Sequence, residues 1–187
     1  PVYLRTSGEV VIQNAHIKTE LPDLPDTNIA HLSLDLSLNN YGAEKQNGNL
    51  KITISPENFT GPSFTVNQKI SVDANGSADV HLSPQNVKQF TIQKPHLWWP
   101  NGYGQPNLYR IRLQYQNGNH ISDDTSFVLG IRTVSSKVVM VNGWARRDFY
   151  VNGQRIHLDG GAWVPDMMLN RDSTRYDYEL HLCKNSN

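Results

Sequence analysis

Along most of the chain, apolar side chains recur at every second position. Leu32, Leu34, Leu36 and Leu38 alternate with His31, Ser33, Asp35 and Ser37. The same period runs through Leu50, Ile52 and Ile54, through Phe64 and Val66, Ile70 and Val72, and through Ala78, Val80 and Leu82. Tyr109, Ile111, Leu113 and Tyr115 alternate with Arg110, Arg112 and Gln114, and Phe127, Leu129 and Ile131 close the series. A two-residue period buries one face of each strand and wets the other, which predicts antiparallel sheet. Six Asn-Gly dipeptides, beginning at Asn47, Asn75, Asn101, Asn117, Asn142 and Asn152, punctuate the pattern. Both residue types tolerate positive φ, so each dipeptide reads as a turn. About seven strands between Glu9 and Val134 predict an all-β fold, an immunoglobulin-like antiparallel sandwich. Residues 20–28, with two prolines and three acids, read as a solvated connection between the first two strands.

From Ser136 the pattern changes. Val138–Val141, the Asn142-Gly143 turn and Arg146–Val151 predict a hairpin. The Asn152-Gly153 turn leads into a short strand, Gln154–Asp159, which ends in Gly160-Gly161. A tight loop follows at Trp163-Val164-Pro165, then Asp166, then a helix over Thr174–Lys184 that Asp172, Ser173 or Thr174 can cap. Tyr176, Leu180 and Cys183 fall on one helical face. A helix this short is marginal alone, so its apolar face and the preceding strand call for a partner. The stretch reads as the first strand, loop and helix of a β/α architecture.

Composition narrows the partners. Seventeen basic and seventeen acidic residues give a formal net charge of zero, which argues against nucleic acid or an anionic membrane as the main ligand. No apolar run reaches the ~18 residues of a membrane span. Pro1–Arg5 is no signal peptide, and the opening reads as a point inside a longer protein. The single cysteine, Cys183, excludes an internal disulfide and the Cys–Trp–Cys core of antibody domains. A disulfide-free β domain fits a reducing compartment or a bacterial periplasm, and a periplasmic or secreted location is the expectation for a bacterial parent. Asn58-Phe59-Thr60 and Asn75-Gly76-Ser77 match the glycosylation sequon, a pattern common by chance.

Candidate chemistry is sparse. His157 and Asp159 alternate on one strand face, but a metal site lacks a third ligand, and no metal or cofactor is expected. Arg146-Arg147-Asp148 reads as a solvated turn edge with weak local pairing. Gly160-Gly161 lacks the lysine and spacing of a phosphate loop. Between Lys94 and Leu113, Trp98 and Trp99 suggest either an aromatic platform for sugar rings or an anchor at the sandwich end. The anchor is favoured, because adjacent side chains of an extended segment point opposite ways.

Three motifs, in order, carry a family resemblance. They are Pro95-His96-Leu97-Trp98-Trp99-Pro100-Asn101-Gly102-Tyr103-Gly104 with Leu108-Tyr109, then Phe127–Val134, then Phe149-Tyr150-Val151-Asn152-Gly153-Gln154 leading to Gly160-Gly161-Ala162-Trp163-Val164-Pro165-Asp166. As a set, they resemble glycoside hydrolase family 2, in its β-mannosidase and exo-β-glucosaminidase branch. The resemblance implies that residues 1–7 end a sugar-binding jelly roll, residues 8–135 form the sandwich, and residues 136–187 are a hairpin linker and the start of a TIM barrel. Gln154–Asp159 is then barrel strand 1, and residues 160–166 lie where barrel active sites assemble. Intramolecular contacts with the jelly roll and barrel follow, and the parent's substrate is a carbohydrate.

Family members resemble retaining glycosidases, with two carboxylates roughly 5–5.5 Å apart. The acid/base usually follows an asparagine, and this chain has no Asn-Glu dipeptide. Its five glutamates, Glu9, Glu20, Glu44, Glu57 and Glu179, fall in sandwich elements or mid-helix. No catalytic residue is therefore expected here, although the parent is an enzyme. Trp163 and Asp166 are the candidate substrate-binding residues: one as a wall of the sugar subsite, the other accepting from sugar hydroxyls or pairing with a glucosamine ammonium. The structural alternative has Trp163 packed beneath the barrel rim and Asp166 capping a turn. Ala162 stands where many members have a sugar-bonding asparagine. A free-standing immunoglobulin-like module that binds carbohydrate or protein is the competing reading, and so is a two-domain structural protein paired through its tail.

Overall fold

The alternating stretches form strands, and the turns between them decide which strands meet. The structure is a computed structural model that describes residues 4–158, 160–164 and 172–186. It divides into two compact units, Pro1–Ile156 and His157–Asn187. In the first unit, two four-stranded antiparallel sheets make a sandwich. One sheet is centred on β2 (Ile29–Asn40), which pairs with β1 (Val10–Glu20), β5 (Ser77–Leu82) and the short β6 (Thr91–Gln93). The other runs β4 (Phe64–Val72), β3 (Gln46–Pro56), β7 (Tyr109–Asn117), β8 (His120–Leu129). The expected immunoglobulin-like architecture is what these sheets form.

The core is the apolar phase of the alternation. Leu32, Leu34, Leu36 and Leu38 of β2 are buried in one cluster with Leu50, Ile52 and Ile54 of β3 and Ile111, Leu113 and Tyr115 of β7. Burying a side chain of this size stabilises by roughly 1.5–3 kcal/mol, before chain entropy opposes it. The sandwich edge is closed by side chains. The Val10 N–H donates to Ser122 Oγ at 2.9 Å, and that hydroxyl donates back to the Val10 carbonyl. Asp123, 4% exposed, accepts from the Ile12 N–H at 2.8 Å and from the Arg5 guanidinium at 2.6 Å. Burying a carboxylate is costly unless its oxygens are paired in this way.

A third, three-stranded antiparallel sheet follows: β9 (Val134–Val141), β10 (Trp144–Val151) and β11 (Gln154–Ile156). Its turns are Asn142-Gly143, with φ of 51° and 83°, and Asn152-Gly153, with φ of 50° and 78°. Positive φ at both central residues makes them type I′ hairpin turns. The Asn47-Gly48 turn expected from sequence is instead inside β3. A Cβ on Gly48 would fall against the Tyr115 ring and the Gln116 carbonyl, so close approach, not a turn, places glycine there. The strand expected over Gln154–Asp159 ends at Ile156 and pairs antiparallel to β10, where a barrel strand would have parallel neighbours. Arg146-Arg147-Asp148 is not a turn edge. It lies within β10, and Asp148, 7% exposed, holds Arg146 at 2.8 Å and Arg155 at 3.2 Å.

In the second unit, α1 (Ser173–Asn185) matches the expected helix to within a residue at each end. Asp172 is the N-cap, and its carboxylate accepts from the Thr174 N–H at 3.1 Å. Leu180 and Cys183, on the apolar face expected from sequence, stay exposed.

Gly48→Ala is expected to lower the stability of the sandwich by roughly 1–3 kcal/mol, the usual cost of extra atoms in a packed core. The urea midpoint should fall with the slope unchanged. A wild-type midpoint would show that Tyr115 yields its place freely.

Candidate functional site

The two tryptophans are built into the end of the sandwich. The Trp98 N–H donates to the Ile131 carbonyl at 3.0 Å, and the Arg132 guanidinium lies over the Trp98 ring at 4.2 Å from its centroid. The Trp98 side chain also crosses Gly130, where a Cβ would meet it at 2.8 Å. Trp99 packs against the core, with Gly104 beneath its ring. Neither indole offers the flat open face that a sugar platform requires, and the anchor reading holds. Asn58 is similarly committed: its amide donates to the Pro106 carbonyl at 2.9 Å and its oxygen accepts from the Leu108 N–H at 2.7 Å.

Asn152, which the sequence marks only as a turn residue, has a larger part. It is 3% exposed. Its amide donates to the Trp98 carbonyl and its side-chain oxygen accepts from the Thr133 N–H, both at 3.0 Å. Its own N–H donates to the Thr133 carbonyl at 3.0 Å. One side chain thus ties the β10–β11 turn to the tryptophan anchor and to the segment that leads into β9. The only sequence signal for this was that Asn-Gly recurs in a motif carrying the family resemblance.

The displaced carboxyl groups belong to surface ion pairs. A hydrogen bond from Arg110 holds Glu57 below the usual glutamate range, despite partial burial that opposes it. His81 does the same for Asp35, and Arg112 for Asp124. All three move downward. Stability from such pairs is complete above the ordinary carboxylate range and is lost as pH falls through the depressed folded values. A glycosidase general acid needs the opposite displacement.

Of the candidate substrate residues, Trp163 is described and Asp166 lies outside the described residues, as does Asp159. Trp163 sits in the irregular loop before α1 and is 54% exposed. Its indole N–H donates to Glu179 at 2.9 Å, and its ring meets Tyr176 edge-on with centroids 4.8 Å apart. Glu179 also accepts from Arg175 at 2.8 Å. The loop and helix border an open cleft of about 580 Å³, with Ala162, Val164, Leu180 and Cys183 among its lining. Sequence reasoning passed over Glu179 and Tyr176 as partners of Trp163; the signal was their three-residue spacing on one helical face. Among the described residues, no group of three or more histidine, cysteine or acidic side chains is arranged to hold a metal. No described helix is long and apolar enough to cross a membrane.

The chain thus holds an immunoglobulin-like sandwich and, after it in sequence, a glycine-containing loop and a helix. The family model for glycosyl hydrolases family 2 matches residues 10–132. The exo-beta-D-glucosaminidase of Streptomyces avermitilis is 29% identical over 189 residues, covering 99% of this chain and 20% of that protein. The mannosylglycoprotein endo-beta-mannosidase of Lilium longiflorum is 29% identical over 195 residues, covering 100% of this chain and 19% of that protein. Among solved structures, the exo-chitosanase of Amycolatopsis orientalis aligns with a TM-score of 0.72 at 25% identity, over 95% of this chain and 19% of that one. The chain belongs to glycoside hydrolase family 2, in the branch of the exo-β-glucosaminidases and β-mannosidases. It spans about a fifth of the length of the relatives it matches.

Asn152→Gly keeps the left-handed backbone and deletes the amide, so it isolates the two side-chain hydrogen bonds. The expected loss is about 1–3 kcal/mol in chemical denaturation, because the Trp98 carbonyl and Thr133 N–H lose their partner. Asn152→Ala should cost roughly 1 kcal/mol more for its backbone conformation. A glycine variant as stable as wild type would remove the amide from this account.

Proposed function

We propose that this chain is part of a retaining β-glycosidase of exo-β-glucosaminidase or β-mannosidase type, and that it supplies scaffold and not catalytic carboxylates. The observation that carries the reading is that similarity to the Streptomyces exo-glucosaminidase runs through 99% of the chain, with hairpin, glycine loop and helix included. A free-standing binding module has no use for that tail. In this reading residues 1–7 end a preceding sugar-binding domain, residues 8–135 are the sandwich, and residues 136–187 lead into the catalytic barrel. Contacts with the jelly roll and barrel are then contacts within one polypeptide.

The glutamates support a scaffold role. Glu57 is paired with Arg110, Glu9 accepts from Gln46, and Glu179 is held between Arg175 and Trp163. The nucleophile and the acid/base are assigned to other parts of the polypeptide. Trp163 forms one wall of the sugar subsite, and Asp166 accepts from the sugar's hydroxyls or pairs with a glucosamine ammonium. Half of the Trp163 surface is open to solvent in a glycine-rich loop, which suits stacking on a pyranoside.

The 187-residue chain is expected to give no turnover of chromogenic β-glucosaminide, β-mannoside or β-galactoside; turnover by the chain itself would overturn the scaffold reading. In the intact enzyme, Asp166→Ala should lower turnover by roughly tenfold or more, as for a lost charged hydrogen bond to substrate. Wild-type kinetics would retire Asp166 from the site.

A further inference from the structure

We propose that Glu179 is a positioning residue that sets the plane of the Trp163 indole, an inference that rests on the reading of Trp163 as a sugar-subsite wall. Trp163 lies in a segment with neither helix nor strand, so the backbone alone does little to fix its ring. Two contacts to α1 do so instead. The indole N–H donates to Glu179 Oε2 at 2.9 Å, which fixes where the pyrrole edge points. Tyr176 meets the ring at 78°, which fixes its tilt. Both partners lie on one helical face, three residues apart. The ring is restrained on two sides while half of it remains exposed.

The carboxylate is itself aimed. Arg175 Nε donates to Glu179 Oε1 at 2.8 Å, and the indole N–H donates to Oε2. Arginine four residues before glutamate is the less favourable order for a helical pair, so the pair adds little to the helix itself. What it does is hold the acceptor in place. Stacking on a pyranoside requires a fixed ring plane, and a ring that must be ordered on binding weakens affinity. In this arrangement, a glutamate that is excluded as a catalytic acid presets the aromatic surface. Loss of the acceptor weakens ground-state and transition-state binding alike, and so raises KM more than it lowers kcat.

The test has two arms. In the 187-residue chain, the Trp163 indole N–H resonance is assigned by its loss in Trp163→Phe. Glu179→Ala should move that resonance, and Glu179→Gln, which keeps an acceptor oxygen, should leave it near its wild-type position. In the intact glycosidase, on the p-nitrophenyl glycoside it turns over, Glu179→Ala should raise KM roughly fivefold with kcat within about twofold. Glu179→Gln should return KM to within about twofold of wild type, and Trp163→Ala should lose at least as much as Glu179→Ala. An unmoved resonance, or wild-type KM in Glu179→Ala beside an impaired Trp163→Ala, overturns the positioning role and leaves the subsite reading intact. Wild-type kinetics for Trp163→Ala sinks the subsite reading itself.

Discussion

Leu32, Leu34, Leu36 and Leu38 on β2, interleaved with the aliphatic rows of β3 and β7, make the core on which the rest of the first unit depends. The two-residue period is unforgiving: a slip of one position in any pairing would turn a row of leucines into water. Several other features of the first unit are attached to that core. Tyr115 reaches from it to the Ile70 carbonyl, and Gly48 leaves room for its ring. Trp99 packs on its end, and Asn152 fastens the third sheet to the segment that carries the tryptophans.

The fold was legible because the alternation is local and nearly unbroken. The sandwich class follows from it. The turns were less legible, since Asn-Gly specifies only that positive φ is tolerated. At Asn142 and Asn152 the chain uses that freedom, whereas at Asn47 a neighbouring ring across the sheet decides the matter. Asp148 was misread for a similar reason: its arginine partners lie two residues before it and across the turn, and only the sheet brings Arg155 alongside. The buried role of Asn152 was also out of reach, because its partners, Trp98 and Thr133, are distant in sequence.

The candidate site was legible in part, and for a different reason. Trp163 and Asp166 were reached through a motif that resembles a family, and the motif names residues without giving their surroundings. The structure adds those surroundings for Trp163: an acceptor, an aromatic neighbour and a cation behind the acceptor. Glu179 shows how a residue dismissed for one kind of chemistry can serve another. A carboxylate held by an arginine is a steady hydrogen-bond acceptor.

β1 stands at the rim of its sheet, a position where unpaired backbone groups invite foreign strands to add on. Here the rim is occupied at intervals along its length. Ser122 and Asp123 take up the Val10 and Ile12 backbone, a bulge with Asn14 at φ 53° interrupts the middle, and Thr19 donates to the Arg132 carbonyl near the far end. At Val10 and Ile12 the backbone groups that another chain would use are already engaged. The side chains that join the two sheets therefore also act against self-association, so a substitution at Ser122 or Asp123 threatens solubility as well as folding.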